Sequence, residues 1–137
     1  MSQFELGVRV YYEDTDAGGV VYHSNYLNFM ERARTEWLRE LGYQQTTLIQ
    51  QRNIIFVVRS IQIDYLKPAV FNDLLTVRCS IAEYGRTSIH FRQDIFRQGQ
   101  AEPLVSAIVR VVCVSADAFR PTAIPDDIRG QLCRADH

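Results

Sequence analysis

The stretch from Tyr12 to His23 carries the residue types and spacing best suited to chemistry. It reads Tyr-Glu-Asp-Thr-Asp-Ala-Gly-Gly-Val-Val-Tyr-His, so three carboxylates crowd against two glycines. A carboxylate can serve as a nucleophile or as a base for water, and a helix N-terminus favours negative charge beside it. If a helix follows this stretch, the pattern predicts an active site.

The flanking sequence predicts the elements that would position this loop. Before it, apolar and polar residues alternate from Leu6 to Tyr12, which is typical of a half-buried strand. After it, apolar residues recur at helical spacing from Ser24 to Leu41, which predicts one long amphipathic helix. Gly42 is expected to end this helix in a left-handed conformation. The acidic loop would then lie between a strand and a helix start.

The rest of the chain is mainly β-like. A short helical turn is expected over 47–51, and a tail with at most one helical turn around Pro121 to Pro125. The run Leu104 to Val114 is almost unbroken apolar, as expected of an interior strand or a subunit contact. The predicted later strands lie at 54–65, 75–81, 88–92 and 104–114. The order predicts an α+β domain over residues 1–137, in which an antiparallel sheet of about five strands curls around one long helix.

Composition excludes several classes of protein. The 137 residues are 47% hydrophobic and 23% charged with a formal net charge of -1, which is ordinary for a globular domain and does not favour nucleic-acid binding. No basic start followed by an apolar run and no run of about 18 apolar residues occurs, so we expect a cytoplasmic protein without a membrane span. Cys79 and Cys113 fall in β-like apolar runs and are expected to pack in the core.

Several motifs together resemble those of one known family. The acidic loop continues through Tyr26-Leu27 and Phe29 to Glu31-Arg32-Ala33-Arg34. Further matching segments are Phe56-Val57-Val58-Arg59, Tyr65-Leu66-Lys67-Pro68-Ala69, Gly85-Arg86-Thr87-Ser88 and Val111-Val112-Cys113-Val114. The chain resembles the 4-hydroxybenzoyl-CoA thioesterase group of hotdog-fold enzymes, and most closely the YbgC-type acyl-CoA thioesterases whose genes accompany those of the Tol-Pal system.

The resemblance implies a hotdog fold and hydrolysis of an acyl-CoA thioester. It places the catalytic carboxylate at Asp16 and one oxyanion donor at the backbone N–H of His23. The sequence leaves open whether Asp16 attacks directly or activates water. The His23 side chain is expected to polarise the substrate or position water, and Tyr12 to orient Asp16. Glu13 and Asp14 are expected to be solvated or ion-paired.

The residues expected to contact substrate are, apart from the loop residue Val20, glycines, cations and hydroxyls that suit phosphates and close backbone approach. They are Gly18, Gly19, Val20, Arg59, Arg86, Thr87 and Ser88. In strand phase Arg59 would fall on the apolar face, which predicts a β-bulge or an inward or interface contact, with the bulge favoured.

Three other interpretations compete with hydrolysis. Asp14, Asp16, Gly18 and Gly19 imitate half of an EF-hand loop, but Asn25 stands where the bidentate glutamate belongs. Phosphotransfer by the Asp-x-Asp pair would need a parallel α/β domain. The third is a hotdog adaptor for envelope or phospholipid-synthesis partners, with hydrolysis secondary. We expect no metal and no organic cofactor, acyl-CoA or an acyl carrier protein thioester as substrate, and a homodimer or homotetramer.

Overall fold

The computed structural model of the protein describes residues 3–133, which form one antiparallel sheet with three α-helices. The strands are β1 (Gln3–Arg9), β2 (Ile54–Tyr65), β3 (Leu74–Tyr84), β4 (Ser88–Arg97) and β5 (Pro103–Ser115). Their order in the sheet is β1-β3-β4-β5-β2, with every neighbouring pair antiparallel. This confirms the α+β hotdog class, a five-stranded sheet curled around one long helix.

The long helix α1 (Asn25–Glu40) provides one side of the core. Its buried residues recur at spacings of three and four, so they form one stripe that packs on the sheet: Tyr26, Phe29, Met30, Ala33, Trp37 and Leu38. Gly42 has φ +99°, and the N–H of Tyr43 donates to the carbonyl of Leu38 while that of Gly42 donates to Arg39. This is a Schellman motif, and it confirms the predicted helix stop at Gly42.

Strand β5 lies between β4 and β2, as its continuous apolar run predicts. Val111, Val112, Cys113 and Val114 are all buried, so this end of the strand is covered on both faces. Strand β2 is bulged between Val58 and Ser60, which confirms the bulge predicted at Arg59. The bulge leaves the Arg59 side chain exposed.

The C-terminal segment is more regular than the sequence led us to expect. A short helix α2 (Gln45–Arg52) follows α1, and a further helix α3 (Asp126–Leu132) replaces the single turn predicted near the tail. Ile128 and Leu132 of α3 are buried against the core. Asp127 accepts hydrogen bonds from Arg52 at 2.9 and 2.8 Å and from the Tyr43 hydroxyl at 3.0 Å, so α3 is tied to α2 and to the end of α1.

Candidate active site

The loop that carries Asp16 is a tight hairpin. Thr15 and Val21 form an antiparallel bridge, and the N–H of Asp16 donates to the carbonyl of Val20 at 2.9 Å. Within the hairpin, the Gly19 N–H donates back to the Asp16 carbonyl at 3.0 Å. Gly19 has φ +80°, a conformation that only glycine adopts without strain. The loop therefore has one defined shape, with Asp16 at its first corner.

The Asp16 carboxylate is exposed and oriented by its own loop. Its Oδ1 accepts the backbone N–H of Gly18 at 2.8 Å. A Cβ at Gly18 would lie 3.2 Å from this same oxygen, tighter than most side-chain contacts. Glycine at this position therefore lets the backbone approach the carboxylate closely. The remaining lone pairs of Asp16 face solvent, as a nucleophile or a base for water requires.

Asp14 has a structural role that differs from the expected one. Instead of being solvated or ion-paired, it is buried, at 8% exposure. One oxygen accepts the Tyr11 N–H at 2.8 Å, and the other accepts the side-chain amide of Asn25 at 2.6 Å. Its carbonyl accepts the N–H of Tyr22. Asp14 thus joins the start of the loop, its end and the first turn of α1.

His23 lies at the junction of the loop and α1. Among residues 3–133, no group accepts a hydrogen bond from its backbone N–H. Its carbonyl accepts the Tyr65 hydroxyl at 3.0 Å, and its exposed ring packs 4.4 Å from that of Tyr22. The amide of His23 is therefore a free donor beside the positive end of a helix of 16 residues.

A cleft of about 230 Å³ opens next to this junction. Its lining residues come from the loop, from α1 and from the end of β2: Val21, His23, Tyr26, Tyr65, Leu66, Lys67 and Pro68. Tyr26 is buried, its hydroxyl accepts the Ala69 N–H at 3.0 Å, and burial raises its pKa. Asp16 does not line this cleft.

The cleft shows which residues sequence reasoning missed. Tyr26 lies in the core, as its place in the apolar stripe of α1 predicts, and it also lines the cleft. No role in the site was predicted for Tyr65 from the sequence. Tyr65 is about half exposed at the end of β2, at 46%. The signal available in the sequence was a tyrosine at the end of a predicted strand, shortly before Lys67-Pro68. Aromatic residues with a polar tip suit a site that is partly wet.

Tyr12 begins a short 3-10 turn, Tyr12–Asp14. Its ring stacks on Phe71 with centroids 3.9 Å apart and is 75% exposed. Within the described chain, its hydroxyl forms no hydrogen bond with Asp16. Its carbonyl accepts both the N–H and the hydroxyl of Thr15, so Tyr12 contacts the residue next to Asp16.

The predicted phosphate-binding residues lie far from Asp16 within one chain. The Arg97 end of β4 is close to the loop, because Arg97 bonds the carbonyl of Pro68 and Ala69 bonds Val21. Arg86, Thr87 and Ser88 are at the other end of this ten-residue strand, which spans about 30 Å. Arg59 is also remote, on the outer edge of β2. One chain therefore places Tyr12, Asp16, Gly18, Gly19, Val20 and His23 on one loop, with Asp16 outside the cleft that His23 lines, and leaves Arg59, Arg86, Thr87 and Ser88 apart from them.

Two of the three cysteines are core residues whose thiols are poor nucleophiles. Cys79 and Cys113 are fully buried, which confirms their predicted place in the core. Burial raises the pKa of the Cys79 thiol to about 12 and that of Cys113 to about 11, so both stay protonated at neutral pH. In the part of the chain that the structure describes, no group of three or more His, Cys, Asp or Glu side chains is arranged to hold a metal ion. No helix within residues 3–133 is a candidate membrane span.

The sequence and the fold both match known thioesterases. The model of the thioesterase superfamily matches residues 18–104. The acyl-CoA thioesterase YbgC of Haemophilus influenzae is 45% identical over 126 residues, which cover 92% of this chain and 91% of the relative. The acyl-CoA thioester hydrolase YbgC of Escherichia coli O157:H7 is 45% identical over 125 residues, 91% of this chain and 92% of the relative.

A solved structure supports the fold independently. The 1,4-dihydroxy-2-naphthoyl-CoA thioesterase from Synechocystis superposes with a TM-score of 0.90 over 98% of each chain, at 24% identity. The family match over more than half of the chain and the two relatives agree with the strand order and the helix described above. The chain therefore belongs to the thioesterase superfamily of hotdog-fold thioester hydrolases.

Proposed function

We propose that this chain is an acyl-CoA thioesterase. It hydrolyses the thioester of acyl-CoA with a short or modest-length acyl group to the free acid and the thiol. The observation that carries the proposal is the Asp16 loop, in which an exposed carboxylate is oriented by Gly18 just before the N-terminus of α1. The printed names of the two YbgC relatives supply the acyl-CoA substrate class. An acyl carrier protein thioester is the alternative carrier.

Two routes use the same geometry. In the first, Asp16 takes a proton from water while the water oxygen attacks the thioester carbon. The tetrahedral oxyanion then collapses, the C–S bond breaks and the thiolate receives the proton. In the second, an Asp16 oxygen attacks the thioester carbon, and the tetrahedral oxyanion expels the thiolate to leave a mixed anhydride on Asp16. Water then cleaves the anhydride, which releases the acid, restores the Asp16 carboxylate and supplies the proton that the thiolate takes up. In both routes the free N–H of His23 donates to the oxyanion.

The neighbouring side chains support these steps. The exposed His23 ring lies where it can position water, and we assign it that role. Tyr12 holds Thr15 through two hydrogen bonds to its carbonyl, so we propose that it orients Asp16 through the loop backbone. Gly18, Gly19 and Val20 allow the substrate to approach the backbone.

We further propose that two copies pair through the outer edge of β2. This edge strand exposes apolar side chains, with Val58 at 46%, Ile61 at 36% and Tyr65 at 46%. Open apolar edges favour pairing with another strand. A two-fold pairing sets residue i opposite j and j opposite i. An axis between Ile61 and Gln62, at the centre of the exposed stretch, sets Arg59 opposite Asp64 of the second copy.

The proposed pairing gives Arg59 and Asp64 partners of opposite charge. In the described residues, neither Arg59 nor Asp64 forms an ion pair. Opposite charges facing each other across strands stabilise a pair. The same pairing sets Val58 opposite Tyr65 of the second copy. It thereby moves the Arg59 and Arg86 end of one chain toward the Asp16 loop of the other, and a homodimer would unite the predicted substrate contacts.

Replacing Asp16 tests the proposed chemistry. Asp16→Asn keeps the shape and the acceptor for Gly18 but removes the base, so we expect turnover to fall by about 10² to 10⁴ with unchanged folding. Thiol release should be measured over a panel of acyl-CoA lengths and acyl carrier protein thioesters. Asp117→Asn, at an exposed position remote from the loop, is the matched control.

Two results would change the proposal. Equal turnover by wild type and Asp16→Asn would reject the assignment of Asp16 and leave the adaptor interpretation standing. A strong preference for acyl carrier protein thioesters would show that acyl carrier protein, not coenzyme A, is the carrier. The proposed chemistry at Asp16 would stand.

A further inference from the structure

The turn between β3 and β4, from Tyr84 to Ser88, is held by the C-terminal part of the chain. It carries three of the predicted phosphate contacts, Arg86, Thr87 and Ser88. Three successive carbonyls of this β3–β4 turn accept hydrogen bonds from outside it: that of Gly85 from the side chain of Arg129, that of Arg86 from the N–H of Ile124 at 2.9 Å, and that of Thr87 from the N–H of Cys113 at 2.8 Å. The acceptors of the turn are therefore engaged by the protein itself.

The donors of the β3–β4 turn are left available. Among residues 3–133, the backbone N–H groups of Arg86 and Thr87 donate to no acceptor. The Arg86 side chain is exposed, and within the same residues it forms no ion pair. Successive free N–H groups beside a guanidinium suit a phosphate, which accepts hydrogen bonds and carries negative charge. The shape of this turn therefore decides whether the predicted phosphate contacts can act together.

Arg129 of α3 contacts the first two residues of the β3–β4 turn. Its Nη2 donates to the carbonyl of Gly85, and its Cζ lies 5.4 Å from the centroid of the Tyr84 ring. Arg129 forms no ion pair within the described part of the chain. Its Nε is buried with no acceptor there, and burying an unpaired polar group costs stability. Stability alone therefore does not explain an arginine at this position.

Helix α3 is a firm support for this contact. Ile128 and Leu132, on either side of Arg129 in sequence, are buried in the core. Asp127 binds Arg52 and the hydroxyl of Tyr43 on the side of α2 and the end of α1. The helix thus holds Arg129 in place from two directions that do not involve the β3–β4 turn.

We propose that Arg129 is a positioning residue for the nucleotide end of coenzyme A. It holds the β3–β4 turn in the shape in which the Arg86 side chain and the free N–H groups of the turn donate to phosphate. The inference rests on the proposed function and deepens it, because it makes α3 a determinant of the carrier. Thioesters of pantetheine and of acyl carrier protein lack the adenosine bisphosphate part of coenzyme A, so they do not use this turn.

Removing the guanidinium tests the positioning role. Arg129→Met keeps an unbranched side chain but loses the donor to Gly85 and the contact with Tyr84. We expect KM for hexanoyl-CoA to rise about tenfold with kcat within about twofold, because hydrogen bonds to charged groups have effects of that size. The kinetics with hexanoyl-pantetheine should change by less than about twofold. An equal loss with both substrates, or no loss with either, would overturn the inference.

Arg52→Met is the matched control, because it makes the same substitution at the other attachment of α3 without touching the β3–β4 turn. Its KM for hexanoyl-CoA should stay within about twofold of wild type. A rise equal to that of Arg129→Met would show a general effect of loosening α3 and overturn the inference. If thermal melts show that Arg129→Met is unfolded, Arg129→Lys replaces it. It keeps a donor for Gly85 but loses the flat guanidinium, and KM should rise about threefold.

A double-mutant cycle tests whether Arg129 acts through the turn. Arg86→Met should itself raise KM for hexanoyl-CoA about tenfold, since it removes a cation from the phosphates. If Arg129 positions this contact, the double variant should show a rise of about 10- to 20-fold, whereas independent effects would multiply to about 100-fold. Multiplying effects, or an Arg86→Met variant that equals wild type, would overturn the positioning role.

A binding measurement separates this inference from the proposed function. If wild type hydrolyses no thioester, the proposed function fails, and calorimetric titration with free coenzyme A still tests the turn. Binding weakened at least about tenfold by Arg129→Met but not by Arg52→Met would support the inference. Equal binding by wild type and Arg129→Met, or no binding by wild type, would overturn it.

Discussion

In the Asp16 loop, the contacts that fix the carboxylate come from residues close in sequence, whereas the outer edge of β2 has no partner strand within residues 3–133. Asp16 is held by Gly18 and Val20, and Asp14 by Tyr11 and Asn25. Along β2, Val58 and Tyr65 are each 46% exposed. The comparison indicates that one chain fixes the Asp16 carboxylate by itself, while the proposed substrate contacts at Arg59, Arg86, Thr87 and Ser88 would need the proposed second copy to meet it.

The largest effect should come from removing the centre of the loop. Asp14→Ala leaves the Tyr11 N–H and the Asn25 amide without their acceptor, and such losses cost about 1–3 kcal/mol per buried group. We expect unfolding by urea to show a loss of about 2–3 kcal/mol, and turnover to fall at least tenfold. Glu13→Ala, at an exposed neighbour, should cost less than about 0.5 kcal/mol. Similar losses for both would show that the loop is not organised by Asp14.

A smaller effect should follow from strain at Gly19. Gly19→Ala places a side chain at φ +80°, which costs about 1–2 kcal/mol. Gly42→Ala imposes the same kind of strain at φ +99° at the far end of α1. Both should lower the urea midpoint by similar amounts, but only Gly19→Ala should reduce kcat. Equal kcat values for Gly19→Ala and Gly42→Ala would show that the conformation of the loop at Gly19 does not affect catalysis.

Dimerisation through the edge of β2 should depend on charge rather than on the geometry of the Asp16 loop. Arg59→Asp places like charges opposite each other in the proposed pairing and should weaken dimerisation by about tenfold in sedimentation. Asp64→Arg should do the same, and the double exchange should restore most of the affinity. If the double variant dimerises as weakly as the single variants, the proposed register of the β2 pairing is wrong. The assignment of Asp16 does not depend on this result.

The smallest effect concerns the attachment of α3. Arg52 and Tyr43 lower the pKa of Asp127, so the folded state favours the charged carboxylate. This stabilisation is present above the unfolded-state pKa of about 4 and is lost as pH falls toward the lower folded-state pKa. The pair is exposed, so Asp127→Asn should reduce the urea midpoint only slightly at pH 7. The difference from wild type should shrink steadily below pH 4, and a constant difference would contradict the linkage.

The sequence predicts the parts of the molecule that local rules determine. Periodicity identifies α1 and its stop at Gly42, and strand phase identifies the bulge at Arg59. The burial of Asp14 was missed because it depends on where Asn25 lies after folding. Helix α3 was missed because seven residues carry little periodicity, although Pro125 followed by two aspartates is a usable helix start. The contact of Arg129 with the β3–β4 turn is set by packing between distant elements, which no local pattern reports.

The attachment of the Asp16 hairpin has a consequence for how substrate reaches it. Val20 is bridged to Val70, and the Val21 N–H donates to Ala69 at 2.9 Å, so the hairpin is joined to the connection between β2 and β3. Swinging it outward would break these bonds together with those to Asp14. The hairpin is therefore poorly suited to act as a gate, and ligand exchange should occur around a stationary carboxylate rather than through a closing step.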